Sequence, residues 1–227
     1  MNYEIDPALS VYALVERTQK DQRTTSLFNR RTMNVISNEI ENATKIDGAR
    51  NRIFSGFQYF SKFAPQAANY EKVAARSESV YLFGVMDVDP AALPVINNLH
   101  YVPLQPTDQL AREWFLISYS RTFATVLATE ETSPFDAPDH VREFKGLWSF
   151  DVGMTNIVQE WLTSAVDAQA LMIDEEQHDS RTQQMIINNI MRRMTDRITR
   201  RKSNASIMET QEQLRIVIDN TLRPAVS

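Results

Sequence analysis

Between residues 80 and 150 the apolar residues of the chain change their period, and that change limits the fold more than any other feature. Residues 80–85 (VYLFGV) form an uninterrupted apolar run closed by Asp87 and the Asp89-Pro90 turn, which reads as a buried strand. Residues 99–104 make a second strand, and Pro103, which cannot donate to a ladder, places it at an edge or an end. Residues 113–119 and 123–129 are separated by only a few residues and predict an antiparallel hairpin. Residues 144–150 give a fifth strand with Phe144, Trp148 and Phe150 on one face. On either side the period returns to that of a helix. Leu9, Tyr12, Leu14 and Val15 follow the helix-starting Asp6-Pro7, and Met33, Ile36 and Ile40 follow Thr32 as the expected cap. The polar residues 18–31 between them read as a loop holding the apolar pair Leu27 and Phe28. After Asp151 the pattern is helical throughout, with a stripe of Ile157, Trp161, Leu162, Ala165 and Val166. The expected class is therefore α+β: N-terminal helices, a roughly five-stranded and mainly antiparallel sheet, then a C-terminal helical extension.

The extension carries two stripes. Ile187, Ile190, Met191, Met194 and Ile198 recur with heptad-like spacing up to about Lys202, and Ile207, Met208, Leu214, Val217 and Ile218 follow beyond a turn at Asn204. A helical hairpin this short cannot bury both stripes, so it must dock on the body or on another chain. This divides the chain into a body, residues 1–170, and a hairpin, residues 171–227, for dimerisation or partner docking. Charge divides it the same way. From Arg181 onward nine basic residues oppose four acidic ones, against 15 and 25 in the first 180 residues. Arg192, Arg193, Arg197, Arg200, Arg201 and Lys202 place six cations in eleven positions. Three readings stand: contact with an acidic protein surface, including the chain's own body; a solvated helix end, where the macrodipole favours cations; or an anion site for a nucleotide or nucleic acid.

Phe54, Phe57, Phe60 and Phe63 recur at every third residue, which fits one side of a helix or turn better than a strand. Such a ridge either faces the core or forms a wall for a flat ligand. The residues put forward for a pocket are Phe57, Phe60, Trp114, Tyr119, Phe144 and Trp148, with Arg112 and Glu113 as further polar contacts.

Catalytic chemistry is not indicated. The absence of Cys removes disulfides, thiol nucleophiles, thiolate zinc sites and covalent attachment of a chromophore through sulfur, so any cofactor would be held non-covalently. His100, His140 and His178 are far apart, none with a ligand at helical spacing, and no metal is expected. The five glycines form no phosphate loop, and no nucleophile motif occurs. No apolar run approaches the length of a membrane span, and the first residues do not read as a secretory signal, so a cytoplasmic, non-enzymatic protein is expected.

The blocks FSGFQYFSKFAPQAANYEKVA, VYLFGVMD, HYVPLQPTDQLAREWFLISYS, VLATEE and EFKGLWSFD, in this order, resemble the DICT sensory domain over residues 32–169. That domain accompanies diguanylate cyclases and two-component proteins, notably in cyanobacteria. The resemblance implies a sensor module and supplies no catalytic residue. No cyclase, kinase or phosphodiesterase segment adjoins the region, so a signal would leave through the C-terminal helices, by protein–protein interaction or homodimerisation. The alternatives are a small-ligand or cyclic-dinucleotide effector using the cluster from Arg192 to Lys202, a DNA-associated regulator, and a ligand-free adaptor.

Overall fold

The computed structural model describes residues 5–18, 25–134, 137–138, 140–166, 168, 173, 175–200, 212, 214–216 and 218. Seven strands form one mixed sheet: β1 (Ser26–Asn29), β2 (Arg52–Tyr59), β3 (Ser79–Val85), β4 (Leu99–Leu104), β5 (Glu113–Tyr119), β6 (Ala124–Glu131) and β7 (Glu143–Ser149). Their spatial order is β1-β7-β6-β5-β2-β3-β4. The pairs β2–β3 and β3–β4 are parallel, and the other four are antiparallel. The α+β class holds, with all five expected strands present. The short turn between β5 and β6 makes the expected hairpin, and β4, with Pro103, is an outer strand.

Side chains leave the strands alternately, so Val80 and Leu82 enter one core while Tyr81, Phe83 and Val85 enter the other. Helices α2 (Arg30–Lys45), α3 (Ala67–Ala74) and α5 (Ser180–Arg200) contribute to the first core through Met33, Ile36, Ile40, Tyr70, Val73, Ile186, Ile190 and Met194. Helices α1 (Val11–Thr18) and α4 (Val152–Ala165) contribute to the second through Val11, Val15, Met154, Val158 and Leu162. Cores on both faces explain why the middle strands read as continuous apolar runs rather than as alternating ones.

Four local expectations are corrected. Residues 26–29 are a strand, not part of a loop: β1 pairs with β7, and Phe28 is buried in the first core. Asn29, not Thr32, caps α2, its Oδ1 accepting the Thr32 N–H at 2.9 Å. The buried stripe of α4 is Met154, Val158 and Leu162, continued by Val166 just past the helix; Trp161 and Ala165 pack at its margin as expected, whereas Ile157 is exposed. The Phe-rich segment begins as β2 and continues into two short 3-10 turns, residues 60–62 and 64–66. Its three-residue spacing arises where the strand ends: the register against β3 shifts between Gly56 and Tyr59, and Gln58 takes a left-handed backbone at φ 58°. Phe54 therefore faces the second core, whereas Phe57, Phe60 and Phe63 belong to the first.

Helix α1 takes part of its N-terminal cap from a strand distant in sequence. Glu113, fully buried on β5, accepts the Val11 and Tyr12 N–H groups at 2.9 and 3.1 Å and the Ser10 hydroxyl at 2.5 Å. Ser10 Oγ in turn accepts the Ala13 N–H at 2.9 Å. Burial pushes the Glu113 carboxyl up to about 7, against the lowering by these hydrogen bonds. Because the folded value lies above the unfolded one, the associated stability is present below about 4.5 and lost as pH rises towards 7. The stability of the wild type relative to Glu113→Gln, followed by denaturant melts across that window, should fall with rising pH; a constant difference would refute the assignment.

Candidate functional site

Helix α2 is amphipathic in an unusual way. Met33, Ile36 and Ile40 enter the core, while Arg30, Asn34, Ser37 and Glu41 lie along an adjacent stripe at intervals of three and four. This polar stripe borders a cleft of about 100 Å3, open to solvent, whose opposite wall is the end of β2 from Ser55 to Gln58. Asn38, Lys62, Gln66, Tyr70, Trp114 and Arg142 complete the lining. Gly56 has a packing reason: a Cβ there would stand 2.6 Å from the Phe115 ring.

At one end of the cleft Arg142, 4% exposed, forms a two-pronged pair with Glu131: Nε to Oε1 and Nη2 to Oε2, both at 2.5 Å. Gln58 locks the pair, its Oε1 accepting Arg142 Nη2 at 2.6 Å and its Nε2 donating to Glu131 Oε2 at 2.8 Å. These bonds explain how the strained Gln58 backbone is held. Burial works to raise the Glu131 carboxyl, but the Arg142, Gln58 and Ser133 hydrogen bonds outweigh it and hold it below the usual carboxylate range. At the other end Glu41 accepts from Asn69 Nδ2 at 2.6 Å, and the Tyr70 hydroxyl donates to Ser55 Oγ at 3.0 Å. Burial raises the Glu41 carboxyl despite Asn69, Lys45 and Tyr70, and raises the Tyr70 phenol well above its ordinary value. Between the two ends stand Phe57, edge-on to Phe63 and Tyr70, and Trp114, edge-on to Phe144 with its indole N–H on Ser37 Oγ at 3.2 Å.

Of the six residues put forward for a pocket, the structure brings Phe57 and Trp114 into this cleft. Phe144 backs Trp114 from the core, and Phe60 is buried edge-on to Tyr101. Tyr119 is buried with its hydroxyl 3.4 Å from the Ile173 carbonyl. Trp148 packs on Phe150 and donates to Thr125 Oγ1 at 2.9 Å. Glu113 serves α1 from the opposite side of the sheet. The polar half of the lining was missed; its signal was the stripe Arg30, Asn34, Ser37 and Glu41, which in sequence resembles an ordinary solvated helix face.

A second constellation joins α2 to α5. Ile186, Ile187, Ile190 and Met194 are buried in the core shared with the sheet, Met191 packs at its margin, and Leu214 is also buried there. Glu39, fully buried on α2, accepts Arg193 Nε at 2.5 Å and pairs with Arg197 Nη2 at 2.9 Å. Asp47, just past α2, accepts Arg193 Nη2 at 2.9 Å and Asn189 Nδ2 at 3.0 Å. Burial opposes the Arg193 charge, but Asp47 and Glu39 overcome this and raise its pKa. Near the start of α5 the Gln183 side chain bonds to both the N–H and the carbonyl of Ala124, at 2.8 and 3.1 Å. Two of the clustered arginines thus meet the acidic body of their own chain. Arg192 is exposed; the side chains of Ile198 and Arg200, and residues Arg201 and Lys202, lie outside the described residues.

No described helix is long and apolar enough to cross a membrane. Comparison with curated proteins finds no match. The family model for DICT, the sensory domain in diguanylate cyclases and two-component systems, matches residues 8–132. This span starts and ends earlier than the resemblance over residues 32–169, and it contains the whole cleft lining except Arg142. The match covers more than half of the 227 residues, and the chain belongs to the DICT family of sensory domains.

Proposed function

We propose that this chain is a non-catalytic signalling sensor that takes up a small ligand in the α2 cleft and reports occupancy through α5 to a partner or to a second copy of itself. The supporting observation is the double use of α2. One stripe of the helix borders the cleft, while Glu39 on the same helix, with Asp47 just beyond it, holds the arginines of α5. A ligand that draws α2 towards β2 binds one placement of the helix better than another, and that difference in affinity shifts the α5 equilibrium. Release of α5 would uncover Ile190 and Met194, an apolar stripe suited to another helix. The competing cyclic-dinucleotide reading draws on the cluster from Arg192 to Lys202, of which Arg193 and Arg197 are engaged by Glu39 and Asp47.

Native mass spectrometry of the protein purified gently from its own host tests the reading. The wild type should carry an added small mass that is lost from Ser37→Phe, which puts a ring into the cleft beside Trp114. Asn34→Trp on the exposed rim serves as the second blocking variant should Ser37→Phe fold poorly. Removal of the mass should change amide hydrogen exchange across α5. A bare wild-type protein, or a bound mass indifferent to both variants, would refute it.

A further inference from the structure

The two ends of the cleft differ in charge, and its middle is aromatic. β1 pairs with β7 so that Asn29 stands opposite Glu143, which brings Arg30, the first residue of α2, beside Arg142. Lys62 lies at the same end, its Nζ 3.5 Å from the Gln58 oxygen that also accepts Arg142. Three cationic side chains therefore gather where α2 begins, which is also the positive end of its macrodipole. Glu131 offsets Arg142 from behind the lining. Among the described residues the lone carboxylate in the lining is Glu41, which stands eleven residues along α2, about 16 Å away at the helical rise. Phe57, Tyr70 and Trp114 line the interval between.

A neutral apolar ligand would have no use for the cationic end, and a small inorganic anion would leave the aromatic middle empty. A volume of about 100 Å3 limits the enclosed part of the ligand to no more than one small ring. Taking the cleft as the ligand site of this sensor, we infer that its ligand is a small planar anion: one aromatic ring among Phe57, Tyr70 and Trp114, with its carboxylate towards Arg30, Lys62 and Arg142. Guanidinium groups suit this role because they meet a carboxylate with two parallel hydrogen bonds. Arg30 is the residue to vary, because Arg142 also supports the fold through Glu131.

The experiment is calorimetric titration of the full chain with three probes: benzoate, its neutral isostere benzamide, and the non-aromatic anion cyclohexanecarboxylate. Benzoate should bind at least about tenfold more tightly than either of the others. Arg30→Gln should erase the preference of benzoate over benzamide while still binding benzamide, and Lys62→Gln should reduce it. Benzamide binding as tightly as benzoate, or a preference that survives Arg30→Gln, would overturn the inference. If benzamide binding is then lost in Ser37→Phe, the cleft remains the sensor site and only the ligand class falls. If none of the probes binds at millimolar concentration while the host-purified protein carries a cleft-dependent mass, the inference again falls alone. If that mass is missing as well, the sensor reading falls with it.

Discussion

Arg142→Met should destabilise the protein by about 3–5 kcal/mol, the cost of leaving a buried carboxylate without its partner. Glu131 is 3% exposed on its side chain and takes both prongs of the Arg142 guanidinium. Gln58 would lose its shortest side-chain contact and part of its hold on a left-handed backbone. The double variant Glu131→Leu/Arg142→Met should recover most of the loss, because it removes both buried charges together. Urea melts of the four members of this cycle measure the effect. A single variant within about 1 kcal/mol of wild type would show the pair to be solvated.

Arg193→Ala should cost about 3 kcal/mol, with a distinct signature. It removes the contacts of α5 with Glu39 on α2 and with Asp47 just past it, and among the described ion pairs leaves Glu39, fully buried, with Arg197. The loss should concentrate in α5: amide exchange should accelerate from residue 183 to 197 well before the sheet opens. Equal acceleration in β5 and β6 would instead show that α5 and the sheet open as one cooperative unit. Arg193→Lys should recover only part of the loss, because a lysine cannot meet Glu39 and both Asp47 oxygens in the forked geometry.

How far the sequence revealed this arrangement depends on the kind of order involved. The strands from residue 79 to 149 were legible because continuous apolar runs bounded by turn residues have few other readings. β2 was not, although it is central, because the bulge near Gln58 turns an alternating pattern into spacing by threes. β1 was missed because its four residues bury only Phe28, and Leu27 faces solvent. The C-terminal stripe was visible, and so was its need for cover. That Arg193 and Arg197 meet Glu39, some 150 positions earlier, depends on tertiary placement with no local trace. The same holds for the cleft: Phe57 and Trp114 stood out as aromatic, but Arg30 and Arg142 became neighbours only when β7 slotted between β1 and β6.

That slotting also dictates an order of events at the ribosome. Ser26 has Gly146 as its partner, about 120 residues further on, so β1 leaves the exit tunnel long before anything exists to receive it. The hairpin of β5 and β6 can close from local contacts, whereas the edge strand must wait through most of synthesis. Helix α2 follows β1 without a spacer and inherits the delay, so its cleft-bordering stripe is seated only when β7 arrives. Nascent chains halted before residue 143 should therefore expose β6 as a raw sheet edge, the period in which this protein depends most on a chaperone.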